Sequence, residues 1–272
     1  MSENNSRIKA KFAELESRNE TALIMYVMVG YPNGKSMMPI IRGLINGGAD
    51  IIELGFPFSD PLADGPVIQN ASTASLERGT KISHMLSLVR QIRKESQIPL
   101  VLMTYTNILY RQGYDRFFKS AKAAGIDGLI TPDMTVDSKE YHAAAKKHGI
   151  DTIFLVSPNT NQSRLRKIVS KTTGFLYLVS VFGTTGVQNK IQKYTIEALK
   201  RTKNAAGGKV PVGIGFGIST PDDVSNYKIQ GADAAIVGSA LIKIIEKTPH
   251  AKLQSAVTEY TKNMKRATQM SV

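Results

Sequence analysis

The sequence predicts an α/β protein built as a single (β/α)8 TIM barrel over residues 1–272, with flexible ends at about 1–6 and 267–272. Short apolar segments of strand length alternate with helical segments eight times, and the composition shows no break along the chain. Barrels of about 250 residues commonly form one unit. A doubly wound open sheet is the main alternative. No internal repeat or low-complexity segment stands out.

In the first half of the chain, helical periodicity and turn residues delimit the elements. Ile8, Phe12 and Leu15 share one stripe of an extra N-terminal helix, and a Gly-Tyr-Pro-Asn-Gly turn at 30–34 ends the first strand. Glycines at 47–48 stop the next helix, and a short extra helix follows the second strand. The predicted helices are 7–18, 36–46, 69–78, 82–96 and 114–124, and the predicted strands are 22–29, a run from Ile51, 100–105 and 128–131.

The second half continues the same alternation. Gly149 closes one helix, and Thr220-Pro221-Asp222-Asp223 is a good start for another, with an N-cap threonine and a proline in the first turn. Extra helices follow the eighth strand. The predicted strands are 152–156, 175–181, 212–215 and 234–237, and the predicted helices are 138–148, 163–171, 191–205, 220–230, 239–246 and 253–265.

Composition limits the class of protein. The chain has no cysteine, so disulfides and thiolate metal sites are excluded, and no apolar run approaches the 18 or so residues of a membrane span. Residues 1–14 are mostly polar and lack the apolar core of a secretory signal, so a cytoplasmic protein is expected. The net charge of +13 raises the alternative of a nucleic-acid binder, but the basic residues are scattered over predicted helices and tryptophan is absent. Solvated helix faces are the favoured interpretation.

The stretch 51–69, I-I-E-L-G-F-P-F-S-D-P-L-A-D-G-P-V-I-Q, carries the candidate chemistry. Glu53 lies within an apolar strand, where an ionised carboxylate is costly. The following loop is stiffened by three prolines and carries Asp60 and Asp64. Acids in two such environments acquire different proton affinities. Alternatively, Glu53 is satisfied by backbone donors, the aspartates only form turns, or the three acids hold Mg²⁺.

Glycine-bearing turns follow the last two predicted strands. They read Gly213-Ile214-Gly215-Phe216-Gly217-Ile218-Ser219 and Val237-Gly238-Ser239-Ala240, the second at a helix start. Such turns suit a phosphate, because glycines let the backbone come close and helix N-termini favour anions. Tight turns alone would also explain them. Tyr26 and Tyr177, in strands one and six, either line a pocket or fill the barrel, and the histidines lack metal-ligand spacing.

The run ELGFPFSDPLADGPVIQNA at 53–71 resembles the signature of the tryptophan synthase alpha subunit. The resemblance covers essentially the whole chain and includes Tyr105-Thr106-Asn107, Gly183-Thr184-Thr185-Gly186, Gly215-Phe216-Gly217-Ile218 and Gly238-Ser239-Ala240. It implies a lyase that cleaves indole-3-glycerol phosphate to indole and glyceraldehyde 3-phosphate in tryptophan biosynthesis. This chain would need no cofactor or metal.

The resemblance also implies residue roles. Glu53 matches the glutamate that moves protons at indole C3 and the glycerol hydroxyl, and Asp64 matches the aspartate that steadies positive charge at the indole nitrogen. Tyr26 and Tyr177 match pocket aromatics, and Thr185 matches the threonine of a loop that closes over the site. The implied substrate- and phosphate-binding set is Tyr26, Tyr177, Thr185, Gly186, Gly215, Phe216, Gly217, Gly238 and Ser239.

A partner is implied as well: a PLP-dependent beta subunit that receives indole in an α2β2 heterotetramer, facing Pro57, Asp60 and Asn107. Two departures from familiar members are Val181-Phe182 in the strand-six loop and the loop 132–135 after strand four. The competing interpretations are another phosphate-binding barrel enzyme, a non-catalytic activator of a beta subunit, and the nucleic-acid binder. Other phosphate-binding barrel enzymes lack the 53–71 motif, which argues against the first interpretation. Retention of both Glu53 and Asp64 argues against a non-catalytic activator.

Overall fold

The structure is a computed structural model that describes residues 6–179, 193–215 and 217–269. Eight parallel strands in this part of the chain form a closed barrel in sequence order, with β8 pairing back onto β1. The open-sheet alternative is therefore wrong. The strands are β1 (Ala22–Met28), β2 (Ile51–Gly55), β3 (Leu100–Met103), β4 (Gly128–Ile130), β5 (Asp151–Val156), β6 (Leu176–Val179), β7 (Val212–Gly215) and β8 (Ala234–Val237).

Helices surround the barrel, and the extra ones predicted at the N-terminus, after β2 and after β8 are confirmed. The helices are α1 (Arg7–Ser17), α2 (Met37–Asn46), α3 (Pro66–Glu77), α4 (Ile82–Glu95), α5 (Thr106–Gln112), α6 (Tyr114–Ala124), α7 (Lys139–His148), α8 (Gln162–Lys171), α9 (Lys193–Ala206), α10 (Pro221–Ile229), α11 (Ser239–Lys247) and α12 (Leu253–Gln269).

Three helices differ from the sequence prediction. α5 was not predicted. It is a seven-residue helix whose first residue, Thr106, donates from its backbone N–H to Asp133 at 2.9 Å, a contact made 27 residues away. α3 begins three residues before its predicted start, because Pro66 occupies the first helical turn, where a proline is tolerated. α12 continues to Gln269 with Ala267 and Thr268 buried, where a flexible end was expected.

The barrel interior is apolar at its N-terminal end. Alternation along the strands turns every second residue inward, and these residues form a buried cluster together with Ile8, Phe12 and Leu15 of α1. The rings of Phe12 and Phe175 lie 5.8 Å apart. The extra N-terminal helix is therefore the plug of the barrel bottom. A larger apolar layer fills the space between the strands and the outer helices.

A Gly–apolar–Asp tripeptide precedes β2, β4, β5 and β8, at residues 48–50, 125–127, 149–151 and 231–233. Each of the four glycines has a positive φ. In three of the four tripeptides the aspartate accepts from a backbone N–H at the start of the preceding strand: Asp50 from Leu23, the second residue of β1, at 2.7 Å, and Asp127 and Asp233 from the first residues of β3 and β7, Leu100 at 2.8 Å and Val212 at 2.7 Å. This short motif therefore recurs at the junction before four of the eight strands.

Each of these three aspartates also meets a cation. Lys265 lies 2.8 Å from Asp50, and Lys203 lies 2.6 Å from Asp233. Asp127 is the most enclosed of the three ion-pair sites, with Arg7 at 2.8 Å and Arg93 at 2.7 Å. The ion pairs and the backbone bonds together tie neighbouring strands at the N-terminal face of the barrel.

We expect Asp127→Ala to lower the free energy of unfolding by about 3 kcal/mol, because it leaves the buried Leu100 N–H without its side-chain acceptor and Arg93 without its carboxylate partner. The midpoint of urea-induced unfolding measures the change. The control is Glu95→Ala, which removes the partner of Arg42 in an exposed ion pair. An equal loss in the two variants would contradict the importance assigned to Asp127.

Candidate functional site

A cavity of about 320 Å³ opens at the C-terminal ends of the strands, opposite the α1 plug. Glu53 and Asp64 both line it, as do Tyr26 and Tyr177. Much of the remaining wall is apolar. Its apolar residues are Ile68, Met103, Ile130, Leu155, Ile218 and Ile236. A concave, mainly apolar site with a few polar groups is the usual form of a small-molecule site.

Glu53 is placed by the strand alternation of β2. Its neighbours Ile52 and Leu54 pack outward into the layer beneath the helices, so Glu53 points into the barrel, where it is 1% exposed. Its Oε2 has no hydrogen-bond partner among the described residues. Burial and, secondarily, the Asp64 carboxylate raise the pKa of Glu53 to about 8. At neutral pH this side chain is therefore mainly protonated.

Asp64 lies in the loop between β2 and α3. The Tyr105 hydroxyl accepts a hydrogen bond from the Ala63 N–H and donates one to Asp64 Oδ2, both at 3.2 Å. The Phe58 ring stacks on Tyr105 with centroids 4.9 Å apart, which fixes the loop further. Burial raises the pKa of Asp64 to about 6, although the hydrogen bond from Tyr105 lowers it. Asp64 is therefore mainly ionised at neutral pH.

The two acids thus hold their protons with different affinities in one cavity, as their predicted environments implied. An acid that is protonated near neutral pH beside one that is ionised is the arrangement that general acid–base chemistry uses. The sequence did not reveal that Tyr105 holds Asp64. The two residues are 41 positions apart, and no local pattern joins them.

Tyr26 and Tyr177 each lie over a glycine of the next strand. A Cβ added at Gly55 would collide with the Tyr26 hydroxyl, and a Cβ added at Gly215 would collide with that of Tyr177. Glycine at both positions is therefore required by packing. Gly215, predicted to bind phosphate, does not itself line the cavity.

The phosphate candidates Gly217, Gly238 and Ser239 do line the cavity. Gly238 is the N-cap of α11 and has no side chain to occupy the first N–H groups of that helix. The neighbouring helix α10 differs, because Thr220 Oγ1 caps its Asp223 N–H at 3.2 Å. The start of α11 is therefore the better anion-binding position. Thr185, Gly186 and Phe216, together with the departure at 181–182, lie outside the described residues.

Lys243 also lines the cavity and was not singled out from the sequence. It follows Ser239 by four residues on α11, so the two share one helix face. Helical side chains tilt toward the N-terminus, which directs Lys243 back toward the start of the helix. Among the described residues, no ion pair involves it. The i, i+4 spacing from the Gly-Ser helix start is the signal that could have identified it.

The three predicted partner-facing residues are not equally exposed. Asp60 and Asn107 are exposed, whereas Pro57 is buried, so its own surface is closed to a partner. Two large apolar side chains nearby are highly exposed: Leu62, in the same loop as Asp60, at 91%, and Tyr110, on α5 with Asn107, at 74%. Exposed apolar groups at neighbouring segments are typical of a protein-binding surface.

The described residues give little support to the other candidate sites. Asp133 accepts hydrogen bonds from the backbone N–H and the hydroxyl of Thr106 at the start of α5, which is a capping role. No group of three or more potential metal-ligating side chains comes together in this part of the chain. Nor is any described helix both long and apolar enough to cross a membrane.

Comparison with known proteins gives a consistent result. The family model for the tryptophan synthase alpha chain matches residues 12–270. The tryptophan synthase alpha chain of Methanosarcina acetivorans is 47% identical over 242 residues, which cover 89% of this chain and 87% of that protein. A structure of Mycobacterium tuberculosis tryptophan synthase matches with a TM-score of 0.88 and 33% identity, covering 98% of this chain and 99% of that chain.

The tryptophan synthase α2β2 complex of Pyrococcus furiosus contains a similar chain, with a TM-score of 0.85, 38% identity and coverage of 90% of this chain and 98% of that one. The sequence motif, the closed barrel and these matches agree. The chain belongs to the tryptophan synthase alpha chain family.

Proposed function

We propose that this protein is a lyase that cleaves indole-3-glycerol phosphate to indole and glyceraldehyde 3-phosphate by a retro-aldol reaction. The observation that carries the proposal is the pair of carboxyl groups with different proton affinities, Glu53 and Asp64, in one largely apolar cavity. Membership of the tryptophan synthase alpha chain family supports the choice of substrate.

The proposed chemistry uses the two protonation states. Protonated Glu53 donates a proton to indole C3, and ionised Asp64 stabilises the positive charge that develops at the indole nitrogen. The Glu53 carboxylate then removes a proton from the glycerol hydroxyl while the bond from C3 to the glycerol carbon breaks. The bonding electrons return to the indole ring, the aldehyde forms, and Glu53 regains its proton.

The cavity also suits the two ends of this substrate. Its apolar wall is compatible with a planar indole ring, and α11 begins at Gly238 and Ser239 without a side-chain cap among the described residues, which suits a phosphate. Lys243 brings a positive charge to the same wall. This charge matters because the ionised Asp64 would otherwise repel a phosphate dianion.

We also propose that indole passes to a PLP-dependent beta subunit bound over the loop of Asp60 and Leu62 and over α5. The α2β2 assembly of the Pyrococcus furiosus relative supports a partner of this kind. The high exposure of Leu62 and Tyr110 supports this location for it.

We expect Glu53→Gln to lower kcat for indole release by about 100-fold or more, because a proton donor and acceptor is removed. Asp64→Asn is expected to lower it by about tenfold or more, because charge stabilisation is lost. Indole is measured with and without the beta subunit, and Asp60→Asn, in the same loop, is the matched control for the assays without the beta subunit. If wild-type protein releases no indole but still accelerates the beta subunit, the chain is an activator and the lyase proposal is wrong.

A second expectation concerns the phosphate end. Lys243→Gln should raise the KM for indole-3-glycerol phosphate about tenfold with little change in kcat, because a charge-assisted contact is lost. Lys247→Gln, one turn further along α11 and outside the cavity lining, is the control. Equal KM values for the two variants would show that Lys243 does not contact the phosphate.

The partner surface can be tested separately. Leu62→Asp should weaken binding of the beta subunit by about tenfold or more, because a charge replaces an exposed apolar contact. Ile229→Asp is the control, because Ile229 is also exposed but ends α10 at the opposite face of the barrel. Binding is measured by calorimetry. A larger loss for Ile229→Asp would place the partner elsewhere.

A further inference from the structure

Two polar atoms inside the barrel are buried without a hydrogen-bond partner among the described residues: the Tyr26 hydroxyl and Glu53 Oε2. The two side chains are 3% and 1% exposed, so bulk water does not satisfy either atom. Unpaired buried polar groups are rare in proteins and call for an explanation. Two such atoms in one cavity indicate that a hydrogen bond forms there when Glu53 is in another protonation state.

The strand register makes these residues neighbours. Tyr26 on β1 pairs with Glu53 on β2, and paired residues of adjacent parallel strands point to the same side of the sheet. The Tyr26 ring crosses toward β2, where its hydroxyl fills the space that a side chain at Gly55 would need. Gly55 follows Glu53 by two residues on the same face, so the hydroxyl lies one strand repeat from the point at which the Glu53 side chain leaves β2.

The other groups that face Glu53 are less suited to meet Oε2. Asp64, in the loop after β2, can only accept a hydrogen bond when ionised. Lys243, on α11, is an exposed side chain at the cavity wall. Tyr177, on β6, approaches from the far side of the barrel, where its hydroxyl is held over Gly215. Tyr26 is the donor next to Glu53 in strand register.

We propose that Tyr26 is a positioning residue whose hydroxyl donates a hydrogen bond to Oε2 of the ionised Glu53 carboxylate. The inference rests on the proposed function, since it concerns the group assigned to proton transfer. The bond holds one oxygen of Glu53 against the barrel wall and leaves the other to exchange protons with the substrate. Bonds to an ionised carboxylate are stronger than those to the neutral acid, so Tyr26 favours the ionised state of the cycle.

The direct test is a titration of Glu53 by NMR in protein labelled with ¹³C at the glutamate carboxyl carbon. The Glu53→Gln variant identifies the Glu53 resonance by its loss. We expect Tyr26→Phe to raise the pKa of Glu53 by about one unit, a tenfold change in its ionisation constant, because one bond to the carboxylate is removed. Tyr141→Phe, which removes a buried hydroxyl on α7 outside the cavity lining, should leave the pKa of Glu53 unchanged.

An unchanged or lowered pKa of Glu53 in Tyr26→Phe would overturn the proposal. So would a rise found in Tyr177→Phe but not in Tyr26→Phe. The phenylalanine variant differs from tyrosine by one oxygen atom, and its urea-unfolding midpoint verifies that it folds.

Activity gives a second readout. The pH profile of kcat for indole release has a limb that reports Glu53. In Tyr26→Phe this limb should shift to higher pH by about one unit, with the KM changed less than twofold. A purely structural role would not move this limb. If wild-type protein releases no indole, the lyase proposal fails, but the NMR titration still decides whether Tyr26 pairs with Glu53.

Discussion

The closed interior of the barrel is the constraint on which the site depends. Eight strands leave room inside only for the side chains that alternation turns inward, so the two large tyrosines at the C-terminal end each require a small residue beside them. Tyr26 and Tyr177 meet this requirement through Gly55 and Gly215, which provide the space for their hydroxyl ends. Glu53 is buried in the same interior, and no ion pair among the described residues involves it; burial, with a smaller contribution from the Asp64 charge, raises its proton affinity.

The two ends of the barrel have different physical tasks. At the N-terminal face, the carboxyl groups of Asp50, Asp127 and Asp233 each meet both a backbone N–H and a basic side chain, so a charge on them is compensated. At the C-terminal face, Glu53 and Asp64 lack a cation partner among the residues described. Compensated charges stabilise the fold, whereas uncompensated ones remain available for chemistry, which agrees with the usual division between the two faces of such barrels.

The sequence predicted the periodic features well. The strands and most of the helices follow from patterns of two and 3.6 residues. Features set by contacts between distant segments were not predicted. Helix α5 depends on Asp133, and the position of Asp64 depends on Tyr105. The Gly–apolar–Asp motif was missed because each copy has only three residues. Its structural role is the hydrogen bond from a backbone N–H of the preceding strand to the aspartate, and that contact is visible only in the fold.

The burial of Glu53 also ties folding to proton uptake. An exposed glutamate in the unfolded chain has a pKa near 4.5, whereas the folded protein holds this proton until about pH 8. Between these values the chain therefore takes up a proton at Glu53 as it folds. Across this pH interval, the protonation of Glu53 makes the free energy of unfolding fall by up to about 1.4 kcal/mol for each unit by which the pH rises. The buried acid therefore destabilises the folded protein increasingly until the pH reaches about 8.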